Sequence, residues 1–480
     1  MTVDAAPTHT GREQPDAPNG RPAGPERPRS SAGPAGAGGP EDALAAAGRS
    51  GASGGSAAPD DAGDGDRPDG RRRLVGLTVL AGAGFVVLVT HDGRWGWALL
   101  RAAVVVAATA GLVAAERSGS RRVAGRVAVA VGVPTLAVAV GLVPHALEWS
   151  SVVGLVAIVL AVAGVGLVVG GAVVALRGRG PLRATIAGIV LAVGCLLVAF
   201  VVSPAVAATN VVRPQIDRTP ADVGLDAESV TVPTADGVVL AGWYAPSSNR
   251  AAVVVLHGAG STRSDALDEA VVLADAGFGV LLVDARGHGE STGRAMDFGW
   301  WGDADVAAAT EFLANRPDVD PGRIGAVGLS MGGEEVIGAS GTDERLVAVV
   351  AEGATSRVAA DDAWLSARYG LRGAFQEQLE WLQDRVTGLL TDAPQPGSLR
   401  SAVADSGDVR YLLIAAGEMP DEGHAAAYIA SAAPERVEVW EVDGSGHVDG
   451  LDTAPEAWTG YVVGFLTSTL LGADAGAAGE

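Results

Sequence analysis

At 480 residues the chain is long enough for two or three domains, and its charge is divided unevenly along its length. Residues 1–206 hold 18 Arg and 14 acids, a net of +4, whereas the rest holds 16 Arg and 42 acids, a net of −26. So acidic a C-terminal half argues against nucleic acid as a partner and against adhesion to anionic lipid. There is no lysine, and the single cysteine, Cys195, allows no intramolecular disulfide and says nothing of redox compartment.

Residues 1–70 are dominated by Pro, Gly, Ala, Ser, Asp and Arg and hold hardly any large apolar side chain. Such a segment buries too little surface to offset its ordering entropy, so a disordered tail is expected. No apolar core follows the start methionine, which argues against a secretory signal.

Within residues 71–206, five apolar stretches approach or exceed bilayer-spanning length: 74–90, 95–115, 123–144, 151–176 and 184–206. A soluble bundle would show a polar face at helical spacing, and "VVGLVAIVLAVAGVGLVVGGAVVAL" has none. Arginine alternates between the connections. Arg71, Arg72 and Arg73 precede the first stretch, Arg117, Arg121 and Arg122 follow the second, and Arg177, Arg179 and Arg183 follow the fourth. The intervening connections, "HDGR" and "PHALEWS", carry one and none. By the positive-inside tendency the N-terminus is cytoplasmic and everything after about residue 206 lies outside. Loss of any one span would reverse that placement. Arg101 and Arg126 lie near helix ends with no acid facing them within the spans, the pattern of an anchor rather than a transport path.

After a linker at 207–225, residues 226–473 alternate strand and helix, with 474–480 expected to be a flexible end. "SVTVP" and "VVLAGWYAP" read as a hairpin around "TADG". Strands then follow at "AAVVVLHGAG", "GVLLVDARGHG", "RIGAVGLS", "RLVAVVAEG", "VRYLLIAAG" and "RVEVWEVDGSGH". Helices are expected near 265–276, 303–315, from Met331, near 424–432 and near 455–471. Unbroken Val and Leu runs suit parallel strands buried on both faces, and the repetition implies a doubly wound α/β sheet with ligands at the carboxyl ends of its strands. Residues 355–401 interrupt the pattern with helical character and read as a small cap carrying Trp364, Tyr369, Phe375 and Trp381.

Gly328-Leu329-Ser330-Met331-Gly332 is a G-x-S-x-G between a strand and a helix. Its glycines are needed because the sharp turn brings backbone too close for a Cβ, and the turn lifts the hydroxyl clear of the sheet. A serine hydroxyl needs a base, and the base an orienting acid. Of seven histidines, His9, His91 and His145 belong to the tail or the membrane connections, His257 and His288 precede the serine, and His424 begins a helix. His447, in "DGSGHVDGL" after the last strand, stands where the order Ser…acid…His puts the base. The acid belongs in "GEMPDEG": Asp421 is the first choice, with Glu422 and then Glu418 as alternatives.

With "LHGAG", "DARGHGES", "GLSMGG" and "GSGH" in this order, residues 226–473 resemble an α/β hydrolase. The branch is that of dienelactone-hydrolase-like enzymes, serine esterases and prolyl-oligopeptidase-like peptidases. The resemblance implies Ser330 as nucleophile, His447 as base and then acid, and Asp421 or a neighbour as orienter. It also implies an oxyanion hole from the backbone N–H of Met331 and of the His257-Gly258-Ala259 loop, at Ala259, while Asp284, Arg286 and His288 shape the loop beside it. The departure from the family pattern is the acid loop, where a single Asp close behind a Gly is more usual.

The expected activity is a membrane-anchored serine hydrolase acting on an ester, thioester or small amide, with a small-molecule acyl substrate, no cofactor and no metal. An acyltransferase or a peptidase using the same residues is the alternative. A non-catalytic sensor or scaffold retaining the fold is the alternative of another class. The arrangement predicts a cell-membrane protein with its hydrolase domain extracytoplasmic.

Overall fold

The computed structural model describes residues 70–90, 95–147 and 151–472. The expected tail up to residue 69 and the expected flexible end at 474–480 lie outside the described residues. Among the described residues, five helices are long and apolar enough to cross a membrane. They are α1 (Gly70–Thr90), α2 (Trp95–Ser118), α3 (Arg121–Gly141), α5 (Val152–Leu176) and α6 (Pro181–Thr209), with the short α4 (Val143–Leu147) after α3. Ser120 and Ser151 cap α3 and α5 by accepting from Val123 N–H and Gly154 N–H, and Pro181 starts α6, so polar punctuation sets where each apolar run becomes helix.

Apolar side chains gain little from meeting one another in lipid, so close backbone approach has to hold such helices together. Helices α3 and α5 achieve it with glycine on both sides. A Cβ on Gly125 would lie 2.7 Å from the Gly171 carbonyl oxygen, and one on Gly171 would lie 2.7 Å from that of Gly125. Gly132 and Gly164 repeat the pattern one or two turns along, against Val168 and Leu136 backbone.

The remainder is one eight-stranded sheet in the order β1-β2-β4-β3-β5-β6-β7-β8. Its strands are β1 (Glu228–Pro233), β2 (Val239–Ala245), β3 (Ala252–Leu256), β4 (Gly279–Val283), β5 (Ile324–Leu329), β6 (Leu346–Glu352), β7 (Arg410–Ala416) and β8 (Val437–Val442). The β1–β2 hairpin pairs antiparallel, as does β2 with β4, and all later pairings are parallel. Helices α7 (Leu267–Asp275) and α15 (Pro455–Leu470) cover one face. Helices α8 (Gly302–Ala314), α9 (Met331–Ser340), α12 (Leu399–Asp405) and α13 (Pro420–Ala430) cover the other. The short α14 (Gly450–Thr453) precedes α15. The unbroken apolar runs follow from this double cover: in β3, Ala252, Val254 and Leu256 enter one core while Val253 and Val255 enter the other.

Between β6 and β7 the chain leaves the sheet to form α10 (Leu365–Tyr369) and α11 (Leu371–Leu390), the stretch read as a cap. The carboxyl ends of the strands face the spans. Helix α11 packs beside α6, Arg101 of α2 donates to Asp392 at 3.1 Å, and a cavity of about 460 Å3 lies between Val89, Ala98, Arg101 and the 286–297 loop. Arg101 therefore ends on an acid from beyond the spans.

The close approach of α3 and α5 makes a steric prediction. Gly171→Leu is expected to destabilise the helical region by ~1–3 kcal/mol through overpacking. Gly188→Leu on α6, where a Cβ meets nothing within 4 Å, should be near neutral. Thermal unfolding of the detergent-solubilised chain measures the difference.

Candidate active site

Strand β5 runs directly into α9, and the residue at the junction, Ser330, takes φ 53° and ψ −120°. A non-glycine residue at positive φ is strained and persists only where its surroundings over-determine it. Here Ser330 N–H donates to the Glu352 carbonyl at 2.7 Å, and Glu334 N–H donates to the Ser330 carbonyl at 3.1 Å to begin the helix. The flanking glycines admit the turn: a Cβ on Gly328 would lie 2.2 Å from the Gly332 carbonyl oxygen, and one on Gly332 would lie 2.6 Å from that of His257.

The structure brings His447 to this serine, with Nε2 2.8 Å from Ser330 Oγ. His447 Nδ1 lies 2.6 Å from Glu422 Oε1. The second oxygen of Glu422 accepts Ala416 N–H at 2.9 Å, so the buried carboxylate is held by the end of β7 while it faces the ring. A nitrogen beside a carboxylate carries the proton, which leaves Nε2 free to accept from the hydroxyl. Glu422 raises the His447 pKa above the usual 6.5 by hydrogen bonding and charge, against a smaller opposing effect of desolvation.

The carboxylate beside His447 is thus that of Glu422, the first alternative, and not that of Asp421. Asp421 is exposed and its Oδ1 accepts from the Tyr369 hydroxyl at 2.5 Å. Glu418 is exposed too, its backbone N–H bonded to the Ser445 carbonyl at 3.0 Å. The reason is helical: Pro420 occupies the first turn of α13, so "GEMPDEG" is a helix start rather than an open loop. Adjacent helical residues point about 100° apart, and only one of the pair can face β8. Proline at a helix N-terminus was the available signal.

The loop after β3 is held by two buried histidines. His257 Nε2 accepts Ala285 N–H at 3.0 Å and its Nδ1 lies 2.7 Å from the Gly258 carbonyl. His288 Nε2 accepts Gly260 N–H at 3.3 Å and its Nδ1 lies 3.1 Å from the Arg286 carbonyl. Each ring accepts one proton and donates another, which requires the neutral form. Desolvation lowers both pKa values, that of His288 to about 4. Asp284 accepts Arg263 N–H at 2.8 Å and Glu290 N–H at 2.9 Å, and also pairs with the Arg263 guanidinium. Arg286 bonds Asp305 and Asp236 and stacks 4.2 Å over Trp301. Gly258 thereby sits against the serine, its Cβ position 3.1 Å from Ser330 Cβ. Met331, first in α9, has no carbonyl four residues back in the helix for its N–H.

Glu352 is a residue the sequence reading passed over. Besides its carbonyl bond to Ser330, its carboxylate accepts Gly450 N–H at 2.7 Å and Trp458 Nε1–H at 2.8 Å. One residue thus connects the serine turn to the segment following His447. Behind the serine, Glu334 and Glu335 are buried on α9. Desolvation raises the pKa of the first to about 7 and that of the second well above its usual value. Among the described residues no group of three or more His, Cys, Asp or Glu could hold a metal ion.

Two outcomes follow from this geometry. Glu422→Gln is expected to lower kcat by roughly 10³–10⁴-fold, the scale for removing the orienting charge of such a triad. Asp421→Asn and Glu418→Gln should stay near wild type in ester-hydrolysis assays. In the wild type, activity should fall as His447 protonates, with the acid limb of kcat/KM above pH 6.5 because its pKa is raised. In Glu422→Gln the remaining activity should show that limb displaced to lower pH, as a pH–rate profile would record.

Residues 247–395 match a family model described as serine aminopeptidase, S33. An uncharacterised protein of Mycobacterium tuberculosis, Rv2307c, is 41% identical over 112 residues, which is 23% of this chain and 39% of that protein. The polyketide transferase af380 of Aspergillus fumigatus is 31% identical over 135 residues, covering 26% of this chain and 44% of that one. The chain thus spans about two fifths of the length of these curated relatives. Among solved structures, the Pyrococcus furiosus esterase Pf2001 is similar at 24% identity and a TM-score of 0.43, over 55% of this chain and 98% of the esterase. The strand order and the serine turn are those of an α/β-hydrolase fold, residues 247–395 match the family model within it, and among the described residues five helices long and apolar enough to cross a membrane precede it.

Proposed function

We propose that the chain is a membrane-anchored serine hydrolase that cleaves an ester, thioester or small amide through an acyl-enzyme. The observation that carries the reading is the continuous array from Ser330 Oγ to His447 Nε2 at 2.8 Å and from His447 Nδ1 to Glu422 Oε1 at 2.6 Å. In this reading His447 takes the hydroxyl proton as Ser330 attacks the acyl carbon. The N–H groups of Met331 and Ala259 receive the oxyanion, and His447 returns the proton to the leaving group. Water then repeats the sequence on the acyl-enzyme, restoring Ser330.

The proposed organisation is a tail at 1–70, an anchor at 71–206, a linker at 207–225 and a hydrolase domain at 226–473 with a cap at 355–401. The arginines before α1, between α2 and α3 and between α5 and α6 support a cytoplasmic N-terminus, and five spans then put the hydrolase domain outside the cell.

A second reading is acyl transfer to an alcohol, favoured by the similarity to a protein named as a polyketide transferase. It needs the same acyl-enzyme and differs only in what enters after the leaving group departs. Product analysis with and without an added alcohol acceptor separates the two.

Intact cells exposed to a membrane-impermeant fluorophosphonate test chemistry and placement together. Wild type is expected to be labelled and Ser330→Ala to take no label. Labelling only after lysis would reverse the orientation, and a purified wild type that takes none would remove the nucleophile assignment.

A further inference from the structure

Helix α11 is amphipathic in the reverse sense for a helix on a soluble domain. Its polar side faces the rest of the cap: Glu377 Oε1 accepts Ser366 N–H at 2.7 Å, Asp384 Oδ2 accepts Ala359 N–H at 2.9 Å, and Gly373 and Thr387 are buried. Its apolar side faces away. Leu371, Phe375, Leu382 and Leu389 are 91%, 54%, 44% and 78% exposed. At about 100° per residue these four fall within about 40° of one another on the helix, a single stripe about five turns long. Water would oppose such exposure, since apolar surface of this extent marks a contact with a partner or a membrane.

The neighbours of α11 identify the occupant. The helix packs beside α6, and its last residue, Leu390, lies against the cluster of Leu142, Val156, Leu160 and Val206 among the spans. Helix α6 itself presents apolar side chains outward, at Leu196 and Phe200. Along its flanks, Arg385 lies 5.0 Å over the Trp381 ring and Arg372 lies 4.9 Å over that of Tyr369. Aromatic rings with cations beside them are what an interfacial helix uses at headgroup level, the guanidinium reaching up to phosphate while the ring and stem stay in the apolar boundary.

We infer that α11 lies in the plane of the membrane crossed by the five helices, with Leu371, Phe375, Leu382 and Leu389 bedded among acyl chains. The cap is then held by lipid on one side and by the hydrolase body on the other. The inference rests on the spans crossing a bilayer and not on the chemistry of Ser330.

Site-directed spin labelling of the full chain in phosphatidylcholine vesicles tests it. Cys195→Ala leaves no native cysteine, and Phe375→Cys and Leu382→Cys then carry the label in turn. Leu196→Cys serves as the lipid reference and Asp408→Cys, an exposed polar position, as the aqueous one. Relaxation by oxygen against a water-soluble nickel chelate gives depth. The expected result is lipid-like relaxation at positions 375 and 382, about 5–10 Å below the headgroups. Aqueous relaxation there with a lipid-like Leu196 label overturns the inference and leaves the anchor standing. An aqueous Leu196 label overturns both. Spin–spin broadening at 375 that unlabelled protein dilutes away would mean that a second copy covers the stripe, which also overturns it.

Discussion

Ser330 is held at φ 53° and ψ −120°, and much of the hydrolase half can be read as what keeps it there. A serine left to itself would relax out of this conformation, so the backbone must be gripped on both sides. Strand β5 grips it from below, buried between two cores, and α9 from above through the Glu334 bond to its carbonyl. Glycine at 328 and 332 removes the side chains that would force the two apart. The β3 loop then closes within van der Waals range, tied down by His257 and His288 in the neutral form that their burial imposes.

The fold was legible because its signals are backbone signals. Val and Leu runs such as "VVVL" and "GVLLV" mark strands buried on both faces, and the two pair parallel with each other inside the sheet. The five long apolar helices were legible for the same reason, since an unbroken apolar run of that length leaves few other solutions. Boundaries moved by a few residues where capping decided them, as at Ser120 and Ser151. Ser330 and His447 lie beside glycines in short turns, where geometry narrows the choice to one residue.

The acid is another matter. Asp421 and Glu422 are neighbours with the same charge, and the choice between them depends on where a helix begins and which way it rolls against β8. Glu422 is buried against Ala416 N–H and the imidazole, while Asp421 points to Tyr369 on the cap. That is tertiary information, absent from any local pattern. The same holds for α11: its helical character could be read, but the inversion of its faces shows only once the body and α6 are beside it.

Glu352 has a mechanical consequence. Its carbonyl fixes the height of Ser330, and its carboxylate fixes the segment that follows His447. One amino acid thus ties the turn that carries the hydroxyl to the segment behind the imidazole, alongside the hold that Glu422 has on the ring. Under the proposed anchoring, a chain whose cap touches those helices would be exposed to bending and thickness changes in the surrounding sheet of lipid. With both segments tied to the end of β6, such strain would tend to move Ser330 and His447 together.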